Sequence, residues 1–396
     1  MKWVTRERAR VDRIACAPVP AIFAAKTVRT FCYGFLGILL PLHLADLGLD
    51  AASIGVAVTL TLVGSAVLTW AVRRPAERWG ARPTLAALAA LGALAAGLLL
   101  VARDPWVVVL AAMLGNVAVG TGETGPFLTI EQVVVARAVA GPRRTTALSV
   151  YNVLGYAAGA LGAAAAGAAG DPRVLFAVFL AGSLAQVLAY ARLPGGRVEA
   201  RRPGPLPSAP LIRRMAALFA LDSFAGGFVL QSLVAYFLHV RFGLGLAELG
   251  LTFFVAQIVT AASLLLAAPL AARFGLLRTM VVSHLASNVV LMAIAVAPSA
   301  PVAVALLLLR QLMSQMDVPT RQAYVMAVVE DHEREAAASL TNLARTVAQA
   351  VTPAVTGWTM QAVALSAPFV LGGALKIVYD LALWFTLRRV VLRDSS

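Results

Sequence analysis

The chain has 396 residues, of which 60% are hydrophobic and only 13% charged, with a mean hydropathy of +0.83. A soluble domain is about 45–50% apolar and roughly 25% charged, so one soluble core cannot hide this much apolar surface and a lipid environment is required. The net charge of +14 sits in short Arg clusters between long apolar runs rather than on a polar patch, which excludes a nucleic-acid-binding domain and points to cytoplasmic loops.

Residues 1–19 read as a basic cytoplasmic tail in which no cleavable signal core is expected, and Cys16 and Cys32 are too few for a disulfide framework or a metal site. Reading from one charge cluster to the next gives twelve runs near the roughly 20 residues that a crossing needs. Their limits are 20–45, 52–72, 83–102, 106–130, 145–169, 173–192, 212–240, 248–272, 279–298, 301–328, 336–361 and 366–387. Basic residues fall at 2–13, 73–82, 137–144, 192–214, 273–278, 334 and 388–393, whereas the opposite loops hold only Arg103, Arg173 and Arg241. That bias predicts a multi-pass protein of the cytoplasmic (plasma) membrane with both termini inside.

In chain order, span one aligns Lys26, Arg29 and Tyr33, with Phe31 beside them. Span four carries Asn116, Gly120, Glu123, Phe127 and Glu131 on one face, and Pro126 with Gly120, Gly122 and Gly125 loosens its helix. Span five presents Asn152, Gly155, Gly159, Gly162 and Ala166, a small-residue face suited to close, sliding packing. Residues 192–211 are rich in Pro, Gly and Arg and read as a cytoplasmic linker. Span seven holds Asp222. Span ten aligns Arg310, Ser314, Asp317, Arg321 and Tyr324 on one face, and span eleven aligns Asn342, Arg345, Gln349, Thr352 and Thr356. On span twelve, Lys376 and Asp380 are one turn apart and are expected to neutralise each other. His43 and His239 read as interfacial, and His284 has no partner in sequence.

The two halves repeat. "RTFCYGF" (29–35) matches "DSFAGGF" (222–228), and "LGLDAASIG" (47–55) matches "FGLGLAELG" (242–250). "ERWGAR" (77–82) matches "ARFGLLR" (272–278), and "EQVVVARAVAGPRRTTALSVYN" (131–152) matches "RQAYVMAVVEDHEREAAASLTN" (321–342). Parallel repeats of six spans imply a binding site between the halves. The domains expected are therefore a tail (1–19), an N-terminal six-helix bundle (20–191), a linker (192–211), a C-terminal six-helix bundle (212–390) and a second tail (391–396).

From about residue 20 to 390 the chain resembles the major facilitator superfamily. The resemblance includes the loop after span two, where the family has a Gly, then Ala-Asp-Arg-x-Gly-Arg-Lys. Here "RRPAERWGARPT" keeps Ala76, Glu77 for Asp, Arg78, Gly80 and Arg82, with Arg73 in place of the Gly and Ala81 in place of an Arg. The resemblance implies an all-α integral membrane fold: twelve transmembrane helices as two pseudo-symmetric six-helix bundles around a central cavity. It also implies that Glu77, Arg78, Gly80, Arg82, Glu131, Arg144 and Arg334 form a cytoplasmic gate. Spans one, four, seven and ten line the cavity in the family, and here they hold eight of the eleven intramembrane charges. Span five weakly resembles the glycine-rich motif of the family's proton antiporters, with Ala160 in place of its proline.

Each intramembrane charge costs roughly 2.5–3.5 kcal/mol at mid-helix, so each should face protein or a water-filled cavity. Glu123 is the first candidate proton carrier because no basic residue neighbours it on its helix; Asp317 is its rival, with Arg321 four residues on. Arg310 and Arg345 complete the cavity charges, and Arg345 is a candidate substrate contact or partner for Asp317. The repeat aligns Arg29 with Asp222 and Glu131 with Arg321, which suggests those two opposite-charge pairs as closure contacts between the halves; the competing reading pairs Glu131 with Arg137 or Arg144. Tyr33, Asn116, Phe31, Phe127, Asn152, Asn342 and Gln349 are the expected cavity wall.

These features predict a non-enzymatic secondary active transporter working by alternating access, with proton-coupled efflux of small amphipathic compounds as the leading reading. Uptake or exchange of a small organic anion on the arginines is the alternative, and a non-transporting sensor or assembly partner is a third. Its partners are expected to be the small-molecule substrate and the lipid bilayer, with no nucleic acid and no nucleotide; a phosphate-binding glycine loop is absent. A monomer without cofactor or metal, driven by the proton gradient, completes the expectation.

Overall fold

The computed structural model describes residues 18–117, 125–139, 142–169, 171–194, 207–317, 321, 324–325, 328–329 and 333–388, and among these every regular element is a helix. Glu123, most of the linker and both tails lie outside the described residues, as do the side chains of Arg137, Arg144 and Arg334. The chain clusters into two compact units, residues 1–47 with 60–200 and residues 48–59 with 201–396.

The first unit contains α1 (Pro18–Asp46), α3 (Arg73–Trp79), α4 (Ala81–Val101), α5 (Pro105–Leu114), α6 (Pro126–Ala138), α7 (Pro142–Ala168) and α8 (Pro172–Ala191). The second contains α9 (Ala209–Gly227), α10 (Gln231–Phe242), α11 (Leu246–Phe274), α12 (Leu276–Ile294), α13 (Ala300–Ser314), α14 (Arg334–Ala362) and α15 (Ala367–Leu387). Helix α2 (Ala51–Ala71) divides between them. Among the described residues, eight helical stretches are long and apolar enough to cross a bilayer, and α5, α13 and residues 126–135 of α6 add shorter apolar segments. Helices α7 and α14, of 27 and 29 residues, also exceed the roughly 20 residues a crossing needs.

The repeat seen in sequence reappears in the packing. Helix α1 lies along α7 and α8, and α4 lies along α8; in the second unit α9 lies along α14 and α15, and α12 lies along α15. Turn chemistry repeats as well. Gly48 and Gly243 occupy matching positions and both have positive φ, at 91° and 70°. Gly80 joins α3 to α4 with φ 95°, and its counterpart Gly275 joins α11 to α12 with φ 85°. Most side chains with a Cβ are strained at positive φ, Asn least in the left-handed helical region, so these glycines set the corners.

In lipid, apolar faces gain nothing from leaving one tail for another, and close packing must hold helices together. The small-residue face of α7 supplies it: a Cβ added to Gly162 would run into the Phe31 carbonyl oxygen of α1, and one on Gly34 would strike the backbone of Gly159.

Three runs that read as single spans are interrupted. Span four ends its first helix at Leu114, and Asn116 takes φ 49° before α6 restarts at Pro126. Proline lacks the amide hydrogen that would bond back one turn, so it serves as a helix start instead. Span seven breaks between Gly227 and Gln231, and in span ten α13 stops at Ser314.

Candidate functional site

Two buried polar clusters stand out, one in each unit. In the first, Arg29 of α1 forms a two-pronged bridge to Glu131 of α6, with Nη1–Oε1 3.0 Å and Nη2–Oε2 2.6 Å. Tyr151 of α7 donates to Glu131 Oε2 at 2.6 Å, and Tyr190 of α8 donates to Oε1 at 2.5 Å while accepting from Arg29 at 2.6 Å. The Arg29 guanidinium stacks 4.4 Å above the Phe127 ring, and Lys26 Nζ lies 4.5 Å from the Tyr151 ring centre. Arg29 and Glu131 are 1% and 0% exposed, so each depends on these partners for the solvation it has lost. Beside the break in span four, Asn116 donates to the Tyr33 hydroxyl at 3.4 Å, and its own buried Oδ1 has no partner among the described residues.

In the second unit, Asp222 of α9 receives Lys376 Nζ of α15 on Oδ1 at 2.6 Å and Arg321 Nη1 on Oδ2 at 3.2 Å. The same Arg321 nitrogen reaches Asp317 Oδ2 at 2.6 Å. Lys376 also lies 3.5 Å from His284 Nε2 on α12, and His284 Nδ1 is 2.7 Å from Asp380 Oδ1. Asn288 donates to Asp380 Oδ2 at 2.9 Å. Arg345 of α14 donates through Nε to Ser223 at 3.0 Å, and Arg310 of α13 donates to Gln311 at 3.1 Å while its buried Nε has no partner among the described residues.

These contacts correct several expectations. Arg29 bridges to Glu131 and Asp222 to Arg321, each inside its own unit, so these four charges are engaged within the units rather than held free for the closure pairs expected from the sequence. The repeat accounts for this. Position 29 maps to 222 and 131 to 321, so the same structural bridge occurs in both units with its polarity reversed. Lys376 and Asp380 do not neutralise each other: Lys376 bridges to Asp222, and Asp380 bonds His284 and Asn288. The hydrogen bond that Arg345 makes goes to Ser223.

The other candidates are scattered. Phe127 is buried under Arg29, Phe31 stacks edge-on with Phe35, and Gln349 is half-buried. Asn152 and Asn342 are exposed, as are Glu77, Arg78 and Arg82, whereas Gly80 is buried at its corner. Sequence reasoning missed Tyr190, His284 and Asn288 as members of these clusters. The available signal was two polar pairs at helical steps of four, His284/Asn288 and Lys376/Asp380, in otherwise apolar helices. No group of three or more His, Cys, Asp or Glu among the described residues is placed to hold a metal.

A profile of the Major Facilitator Superfamily matches residues 22–309 and 215–395. An uncharacterized membrane protein of Saccharomyces cerevisiae is 23% identical over 421 residues, covering 94% of each chain. Among solved structures, the nucleoside transporter NupG superposes with a TM-score of 0.75 at 15% identity over 94% of this chain and 99% of its own. The human organic anion transporter MFSD10 (TETRAN) gives 0.67 at 16% over 93% and 100%. At those identities the structural likeness speaks to fold alone, whereas the profile spans nearly the whole sequence. The chain belongs to the Major Facilitator Superfamily.

Proposed function

We propose that this secondary transporter is coupled to protons and exports small amphipathic compounds across the cytoplasmic membrane, with both termini inside. The observation that carries the reading is the internal pairing of the buried charges. Arg29 and Arg321 are each engaged by carboxylates, so these groups hold charge for coupling rather than present it to a substrate. The apolar composition of the surrounding helices suits an amphipathic cargo. Coupling by protons requires neither a nucleotide nor a resident cofactor, and a monomer suffices.

The second reading is uptake or exchange of a small organic anion. It draws on Arg310 and Arg345, which form no ion pair with a carboxylate among the described residues. Everted vesicles energised acid-inside and carrying a pH dye separate the two. Collapse of the gradient by amphipathic cations in the wild type, but not in Glu123→Gln or Asp317→Asn, supports proton-coupled export. A response to organic anions alone, lost in Arg345→Gln, assigns the arginines to substrate and replaces the first reading.

A further inference from the structure

The triangle of His284, Lys376 and Asp222 carries more than a structural bridge. His284 is 3% exposed and sits on α12, packed against α15. A lysine ammonium has three donors and no acceptor, so a ring nitrogen 3.5 Å from Lys376 Nζ is placed to accept. That puts the imidazole hydrogen on Nδ1, 2.7 Å from Asp380 Oδ1, where a carboxylate accepts it. Asn288 occupies the other oxygen of Asp380 and fixes its orientation. The arrangement thus fits a neutral imidazole whose single free lone pair is on Nε2.

We propose that His284 is a proton-binding site of the second unit and that its protonation rearranges the Lys376–Asp222 bridge. A proton arriving from water forms an N–H bond at Nε2 and turns imidazole into imidazolium. The lone pair that accepted from Lys376 is consumed. The new N–H faces Asp222 Oδ1 at 3.6 Å, the oxygen that Lys376 already holds at 2.6 Å. Two cations then compete for one carboxylate oxygen. The other oxygen of Asp222 is tied to Arg321 and through it to Asp317, so the disturbance passes from α12 and α15 to α9 and the end of span ten. Departure of the proton restores the starting contacts.

Arg345 adjoins through its bond to Ser223, and it and Arg310 both act electrostatically on Asp222 and Asp317. The groups facing His284 are Asp222 from α9, Lys376, Asp380 and the edge-on Tyr379 ring from α15, and Asn288 from its own helix. Helices α11 and α13 carry Glu248, Arg273 and Arg310, none in bonding contact with His284 among the described residues. The inference rests on the proton-coupled reading for its use in transport, but its test needs no substrate.

The chain contains four histidines. Changing His43, His239 and His332 to Gln leaves His284 as the only one, so ¹⁵N-imidazole NMR in lipid nanodiscs from about pH 5 to 9 reports on it alone. The expected result is an Nδ1–H ring with a bare Nε2 at high pH, and a doubly protonated ring at low pH. In Lys376→Met the high-pH Nε2 signal should shift as it loses its donor. An Nε2–H tautomer at high pH, or one protonation state throughout, overturns the proposal and leaves the flux assays untouched. Should the triple variant not fold, the difference spectrum between wild type and His284→Gln gives the same reading.

Discussion

Replacing Arg29 by Met tests whether the first cluster is held by its ion pair. The substitution removes two charge-assisted bonds to Glu131 and one to Tyr190, and takes the cation off the Phe127 ring. Glu131 stays fully buried and keeps only the two tyrosine hydroxyls among these donors. Removing one member of a buried pair costs about 3–5 kcal/mol, because an uncompensated charge is left behind. Replacing both members by apolar residues is often neutral, so Arg29→Met/Glu131→Leu should recover most of the loss. The assay is equilibrium unfolding in mixed micelles for the wild type, both single variants and the double. A single-variant loss under about 1 kcal/mol, or a double variant no better than Arg29→Met, would refute the reasoning.

Other outcomes follow from the same contacts. Gly162→Val should destabilise the first unit by about 1–3 kcal/mol or more, because the new side chain meets the Phe31 carbonyl and backbone cannot swing aside; thermal melts of purified protein check this. Gly80, at φ 95° and ψ 175°, lies in a region essentially restricted to glycine, so Gly80→Asn should cost about 1–3 kcal/mol. Gly243, at φ 70° and ψ 19°, is left-handed helical, and Gly243→Asn should be nearly neutral in the same melts. Asp50, in the turn between α1 and α2, accepts from the Ser53 amide at 2.8 Å and from Gln361 at 3.0 Å, and these bonds, the Ser53 amide foremost, hold its carboxyl below the ordinary 3.8. A lowered folded value means the stabilisation is fully present above the ordinary value and fades as pH falls through the lowered one. Melting temperatures of wild type and Asp50→Ala should therefore differ at neutral pH and converge in acid; a constant gap would show that charge is not involved.

Much of the architecture was legible because it rests on local chemistry. Long apolar runs between Arg clusters announce a membrane chain, and Gly48/Gly243 and Gly80 with Gly275 mark the repeat, since both members of each pair take positive φ. The helix breaks were partly legible: Pro126 and its glycines marked one, while the interruption after Gly227 carried no proline. The partners of the buried charges were not legible. Arg29 finds Glu131, 102 residues away, and Lys376 finds Asp222 across 154. Such pairings depend on how α1 meets α6 and how α9 meets α15. A helical face can be read from spacing, but the face opposite cannot. The repeat alignment identified positions 29, 131, 222 and 321 as a related set, but not that each unit would bridge its own two charges.

Substrate-driven proton movement in proteoliposomes containing only the purified chain tests the central claim most directly. A trapped pH dye reports the lumen while an amphipathic cation found in the vesicle assay is added outside with no ion gradient imposed. Proton-coupled exchange predicts a lumenal pH change that scales with the cation transported and disappears in Glu123→Gln or Asp317→Asn. Transport of the cation with no proton movement would contradict the account.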